Sequence, residues 1–559
     1  MGWVRAGTET DPPSDEAAGS GSTSSRWYVT RRCWVELAGF VVFAAALFAV
    51  YLRLSFTSPE NSDQANVLLA ASDMLHGNLL LHGWYLTDVS FYTTELPQYA
   101  LLEIFFGVHV NAAHIAAAMT YTLVVLLAVV VARGGFTSRA AVTRMAIAAG
   151  ILLAPQLGVG VAVLLVIIGH IGTAVPVLLI VLLLDRAPQR WYVPVLTALG
   201  LAWALIADHL VLIVGVVPLA LVCALRVLQD AVRERSLPRG LAAHRYELAL
   251  IVAAGAAAGF AWLVERVLRA LGGYILNPTR IIFTFRHIGA NLHSLWSVPD
   301  IFGADYRGLA GGSYYIALLH MIGLALVGLG LLVTARRFLA GAALVDQVLA
   351  VAIVLNIVLY VVTSASIQNA HEIAVVAPLG AALAARVLTG SQASRTRAEG
   401  GLARRTRVVA YGAGLVVLFG YLGGLAYEVV RPAAVGAAAP PSYPQLASWL
   451  QAHHLRYGLS GYWQSSIVTV ETDGQVTVRA LMWQTMGPYL WLAKSAWYDP
   501  ASQQANFLVV DDTRSPLPYW EPRAVIAKVF GRPAHEYRVG HVTVMVWDRN
   551  LLASIPRHP

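Results

Sequence analysis

Apolar runs of about 20 residues, each long enough to cross the hydrocarbon core of a bilayer, punctuate this chain and leave it few folds to choose from. The first run, 34–54, follows Arg26, Arg31 and Arg32. Basic clusters then recur at every second connection, at Arg133, Arg139 and Arg144, at Arg186 and Arg190, and at Arg226, Arg233, Arg235, Arg239 and Arg245. They continue at Arg336 and Arg337 and at Arg386, Arg395, Arg397, Arg404, Arg405 and Arg407. Cytoplasmic loops carry such an excess of basic residues, so the amino terminus and these clusters are expected in the cytoplasm.

Inside lipid every backbone polar group needs a partner within the protein, and long apolar runs meet that need as helices. Only 13% of the residues are charged and 57% are hydrophobic, whereas soluble domains carry about 25% charge. The predicted fold class is therefore a polytopic α-helical membrane protein of about eleven spans. After the first run the spans fall near 111–131, twice in 145–184, twice in 191–225 with Asp208 and His209 at the outer turn, and near 248–268. The remaining spans lie near 315–333, 345–363, 373–385 and 408–427. The net charge of +8 follows from this topology and does not indicate a nucleic-acid partner. Cys33 and Cys223 both fall at or in apolar runs, which leaves neither a disulfide framework nor a cysteine metal site.

The polar remainder divides the chain. Residues 1–25 lack an apolar pattern and read as a disordered cytoplasmic tail. Residues 26–430 form the transmembrane domain, with outer loops at 55–110 and 272–312. Within the second loop, 275–288 alternates apolar residues with Arg280 and Arg286 and suits a helix lying in the membrane interface. An Ala- and Pro-rich linker, 431–444, leads to an extracytoplasmic α/β domain at 445–559. There 446–453 reads as a helix, 466–471 and 475–481 as a hairpin around Thr472-Asp473-Gly474, and 506–510 and 541–547 as strands.

The loop at 55–110 contains Glu60, Asp63, Asp73, Asp88, Glu95 and Glu103 but no Lys or Arg. Asp63 falls in Asn61-Ser62-Asp63-Gln64, where Asn61 or Ser62 is placed to cap a helix running to about His76. An acid in that first turn is held ionised by the helix dipole, as a general base requires, although a plain capping role produces the same pattern. Asp88 and Glu95 stand among Tyr85, Phe91 and Tyr92, a mixture that suits a sugar and equally suits an aromatic interfacial loop. Asp73 reads as a solvent-facing helix residue and Glu103 as part of an apolar helix. On the same side of the membrane Arg280, Arg286, His287 and Arg307 supply positive charge, joined by His371 in Asn369-Ala370-His371-Glu372. Any one of these arginines also suits interfacial snorkelling or anionic lipid. The spacings of His76, His82, His109 and His114 match no metal-ligand motif.

The order of these features resembles the GT-C membrane glycosyltransferases. A first span, an acid just outside it, an amphipathic helix ending in Met74-Leu75-His76-Gly77-Asn78, and a Tyr/Glu/Pro segment leading to Leu101-Leu102-Glu103-Ile104-Phe105-Phe106-Gly107 carry the resemblance. It is closest to the protein O-mannosyltransferase and lipid A aminoarabinose transferase group. Gln64 stands where that group usually has a second acid, and Glu95-Leu96-Pro97-Gln98 keeps one of its two prolines. The resemblance implies a polyprenyl phosphate-linked sugar as donor and inverting transfer on the outer face of the cytoplasmic membrane to an envelope glycan, lipid or protein. It implies Asp63 as the catalytic acid, Asp88 and Glu95 as partners binding acceptor, sugar or a divalent cation, and the basic set as the donor-phosphate site. Two other classes compete: a transporter or flippase, and a GT-C-like scaffold without catalysis. The absence of an obvious half-to-half repeat weighs against the transporter, and Gln64 keeps the scaffold in view.

Overall fold

In the computed structural model the described residues are 21–136, 139–166, 168–235, 243–277, 288–363, 370–389, 418–430, 443–511 and 523–556. Residues Met1–Ala49 and Val50–Pro559 form two separate units, and the second holds the outer loops and the α/β segment. Among the described residues seven helices are long and apolar enough to cross a membrane: Leu37–Ser55, Val110–Arg133, Leu212–Arg233, Arg245–Ala270, Gly311–Arg337, Leu344–Val362 and Ala370–Leu388. Shorter apolar helices occupy Ala140–Leu152, Tyr192–Ala207 and Leu418–Val430. The protein is thus a polytopic α-helical membrane protein with an appended α/β region.

The pair of spans expected in 145–184 is more broken than the sequence suggests. Arg139–Leu152 is followed by a bend at Pro155 and Gly158, a π-helical turn at Ala162–Val166, and then Ala174–Arg186. Wide turns of this kind are frequent at functional sites. The break places 168–173 among the helix ends instead of inside a span.

Polar segments gather where the helices Val110–Arg133, Ala174–Arg186 and Val376–Leu388 begin, the end called here the loop face. Helix α2, Ser62–Leu75, packs there through Val67, Leu68, Ala70 and Ala71. Strand β1, Trp84–Leu86, pairs in parallel with β2, Ile275–Leu276, so the expected interfacial helix does not start at Ile275; residues 278–287 lie outside the described residues. On its other side β1 pairs antiparallel with Ala493–Lys494. This small sheet stitches both loops to the carboxyl-terminal segment.

That segment is built on a six-stranded sheet. Its strands are β3 (Tyr457–Ser460), β4 (Thr477–Met482), β5 (Gly487–Pro488), β7 (Phe507–Asp511), β8 (His535–Val539) and β9 (Val542–Val546), with β6 being Ala493–Lys494 in the small sheet. The order is β5-β4-β3-β7-β9-β8, with β4, β3 and β7 parallel. The expected strands near 506–510 and 541–547 and the helix near 446–453 are present. The expected hairpin is not: Ser466–Glu471 is a helix that crosses from β3 to a parallel β4. Its β-branched sequence favours a strand locally, but Ile467, Val468 and Val470 are buried in a core shared with α2, and tertiary burial overrides weak local propensity.

Candidate active site

The first turn of α2 is fixed by a reciprocal cap. Asn61 Oδ1 accepts from the Asp63 N–H at 2.9 Å and the Gln64 N–H at 3.4 Å, while the Asn61 N–H donates to Gln64 Oε1 at 2.9 Å. Such a box satisfies backbone donors that a helix start leaves open. The Gln64 amide also donates to the Val166 carbonyl. Gln64, which departs from the GT-C pattern, therefore holds the α2 cap against the broken helix.

The cap leaves the Asp63 side chain turned toward the α/β segment, where the Tyr462 hydroxyl donates to Oδ1. Ser62 Oγ donates to the Trp463 carbonyl at 3.2 Å, and the Asn66 amide lies 3.4 Å from the Tyr462 oxygen. Burial raises the Asp63 carboxyl above its ordinary value of 3.8, and the Tyr462 hydrogen bond and the nearby His371 pull it partly back. Tyr462 is a site residue that sequence reasoning missed. It is 399 positions from Asp63, and nothing local sets it apart from the other tyrosines.

Glu95 opens helix α3, Glu95–Phe106, and takes a hydrogen bond from Thr94 Oγ1. Its carboxyl lies against Gly172, where any Cβ would collide with Oε1. Burial pushes Glu95 up from 4.5 to about 7 against the Thr94 hydrogen bond, with Asp208 adding to the rise. Glu95, Gln98, Tyr99, Thr120, Gly169 and Gly172 line a recess of ≈ 350 Å³ counted to its open mouth.

Between Asp63 and Glu95 lies a run of alternating acids and histidines. His170 Nδ1 is 2.7 Å from Asp208 Oδ2, and His170 Nε2 is 3.2 Å from Glu372 Oε2. His371 Nε2 lies 3.4 Å from Glu372 Oε1, and its ring is stacked with that of His170 at 6.0 Å. Sequence reading picked out His371 and put Asp208 at an outer turn. It had no means to join them to His170, because the contacts span three separate helix ends.

The other expected residues fall elsewhere. Asp88 is half-buried on the side of His209, whose Nε2 pairs with Glu265 at 2.7 Å. Arg307 is held by Asp305 at 2.6 Å and lies over the Trp296 ring at 4.8 Å, so its charge is already met. Arg280, Arg286 and His287 lie outside the described residues. Asp73 is not a solvent-facing bystander. It receives Lys494 Nζ at 2.9 Å and Trp84 Nε1 at 2.7 Å and clips α2 to the α/β segment. Among the described residues no group of three His, Cys, Asp or Glu side chains is arranged to hold a metal ion. The carboxylates of Asp208 and Glu372 are turned to His170.

Architecture and site together define a polytopic α-helical membrane protein with an appended α/β region and a buried acid at the loop face. Among solved structures the chain is similar to ArnT from Cupriavidus metallidurans bound to undecaprenyl phosphate, with a TM-score of 0.52 and 15% identity over 93% of this chain and 99% of that one. It is similar also to the apo state of the same protein, with a TM-score of 0.50 and 14% identity over 94% of this chain and 100% of that one. At such identity the likeness is one of fold. No protein-family model matches the chain, and no curated protein matches it.

Proposed function

We propose that this protein is an inverting glycosyltransferase that moves a sugar from a polyprenyl phosphate donor to a cell-envelope acceptor on the outer face of the cytoplasmic membrane. The observation that carries the reading is Asp63, a partly desolvated carboxylate fixed by a helix cap on one side and by the Tyr462 hydroxyl on the other. A full-length fold likeness to a protein whose structure holds undecaprenyl phosphate supports it. In this reading the amino terminus is cytoplasmic, and the loop face and the α/β domain at 445–559 are extracytoplasmic, in keeping with the arginine alternation.

The acceptor hydroxyl gives its proton to Asp63 as its oxygen bonds to the anomeric carbon. The bond from that carbon to the phosphate oxygen breaks, its electron pair stays with the phosphate, and polyprenyl phosphate departs. Attack opposite the leaving group inverts the centre. Tyr462 keeps the carboxylate aimed and ionised. Glu95, its carboxyl pushed up to about 7 and so part protonated near neutral pH, donates to a sugar hydroxyl in its protonated form. His371 meets the phosphate, and Arg280, Arg286 and His287 are the further cations that the sequence offers to it; preset positive charge stabilises the leaving group.

The test is transfer by purified protein in nanodiscs from labelled polyprenyl phosphate sugars to envelope acceptors, with Asp63→Asn as control. Transfer that disappears in the variant supports the reading, and transfer that survives unchanged removes Asp63 from the base role. Movement of lipid or solute across vesicles without transfer would favour the transporter.

A further inference from the structure

His170 has a carboxylate oxygen on each side of its ring, 2.7 Å from Nδ1 and 3.2 Å from Nε2. A neutral imidazole carries one donor and one acceptor nitrogen, and would set a lone pair against an anion on one side. Only the imidazolium donates to both. Asp208 is not free to turn away, because its carboxylate also accepts from the Leu210 N–H at 2.8 Å and from the Thr173 hydroxyl. Burial opposes the charge on His170, yet Asp208 and Glu372 outweigh it and hold the ring protonated well above ordinary imidazole.

Glu372 is committed in the same way, one oxygen to His170 and the other to His371. The order is Asp208, His170, Glu372, His371. The Asp208 side chain is 6% exposed and that of His170 10%, against 39% for Glu372 and 26% for His371, so the run leads from the interior out to the Glu372–His371 pair, where His371 acts on Asp63. Gly169 allows the close packing, since a Cβ there would stand 3.2 Å from the Cβ of His371.

We infer that His170 is a positioning residue: a buried imidazolium that fixes Glu372, so that Glu372 takes the Nε2 proton of His371 and the rest of that ring is presented to the phosphate of a lipid-linked donor. This role rests on the proposed function. Its physical need is plain, because a phosphate arriving beside His371 meets the carboxylates of Asp63 and Glu372, and an anchored Glu372 keeps its charge on the two histidines.

The test uses full-length protein in nanodiscs with undecaprenyl phosphate as the probe. His170→Gln should weaken its binding about tenfold, the size of coupling typical of residues in one hydrogen-bond network, and by less than about twofold when Glu372→Gln is already present. Asp208→Asn, a milder change, should give an intermediate loss. Independently of binding, ¹⁵N-histidine spectra at pH 8 should show a doubly protonated ring that disappears in His170→Gln. A neutral His170 at pH 8, or an equal loss from His170→Gln with and without Glu372→Gln, overturns the positioning role alone. No binding of undecaprenyl phosphate by the unsubstituted protein overturns the donor reading and this role with it.

Discussion

Two helices carry a charge network at each end, and the two networks are built differently. Ala174–Arg186 and Val376–Leu388 start near His170, His371 and Glu372, and end at Asp185 and Arg386. At the far end Arg386 pairs with Asp346 at 2.6 Å and Asp185 at 2.8 Å and donates to the Val131 carbonyl at 3.0 Å. Arg144 donates to the Arg386 carbonyl and to Thr389, each at 2.7 Å. Guanidinium groups keep their charge at any physiological pH and fit several acceptors at once, so this end is a lock. At the loop face histidines and carboxyls take that place, and their charge answers to the environment. The same buried scaffold therefore carries a fixed end and a titratable one.

The comparison breaks first at Asp63. Asp63→Asn should lower kcat of the proposed transfer by 10²-fold or more, within the range of about 10²–10⁴ for lost general-base help, while the melting temperature stays put. Arg386→Gln should do the reverse. Leaving Asp185 and Asp346 buried without their cation costs roughly 3–5 kcal/mol, to be seen as a lowered melting temperature of the detergent-solubilised protein with the site chemistry unchanged in what still folds. If Arg386→Gln instead leaves stability intact and lowers only transfer, the division between lock and site is wrong.

Tyr462→Phe sharpens the contrast on a smaller scale. In the proposed transfer the Asp63 carboxylate is the base, so kcat/KM should fall as pH drops through its raised pKa. Removing the Tyr462 donor removes an influence that holds this pKa down, and the acid limb should move to higher pH. An unmoved limb would separate Tyr462 from the base.

Glu95 gives the smallest effect. Its pKa in the folded protein is about 7 against an ordinary 4.5, so its stabilising contribution is full below 4.5, declines as pH rises, and is gone above 7. Glu95→Gln should flatten the fall in thermal stability between pH 5 and 8, by at most about 3 kcal/mol. An unaltered pH profile would show that the Glu95 carboxyl does not titrate in that window.

Much of this was legible without coordinates. The apolar runs and arginine clusters are local patterns that a bilayer imposes, and they located the long apolar helices; of the eleven spans expected, seven are long enough to cross among the described residues, and 145–184 is broken by its Pro155 bend and π-turn. The Asn61 cap is local too, and it put Asp63 in the first turn of a helix as expected. The part Gln64 plays in the structure was not legible because it depends on Val166, 102 positions away. Ser466–Glu471 was misread because its burial against α2 outweighs its β-branched side chains.

The sequence by itself determined a helical membrane protein with an acidic loop and Asp63 at its helix start, since hydropathy, charge alternation and capping act over a few residues. Tertiary structure alone decided which groups meet that acid. Tyr462 reaches it from the α/β segment, and His170, Asp208, His371 and Glu372 come together from separate helix ends. The pairing and the protonation of such groups depend on burial and on neighbours that no local pattern encodes.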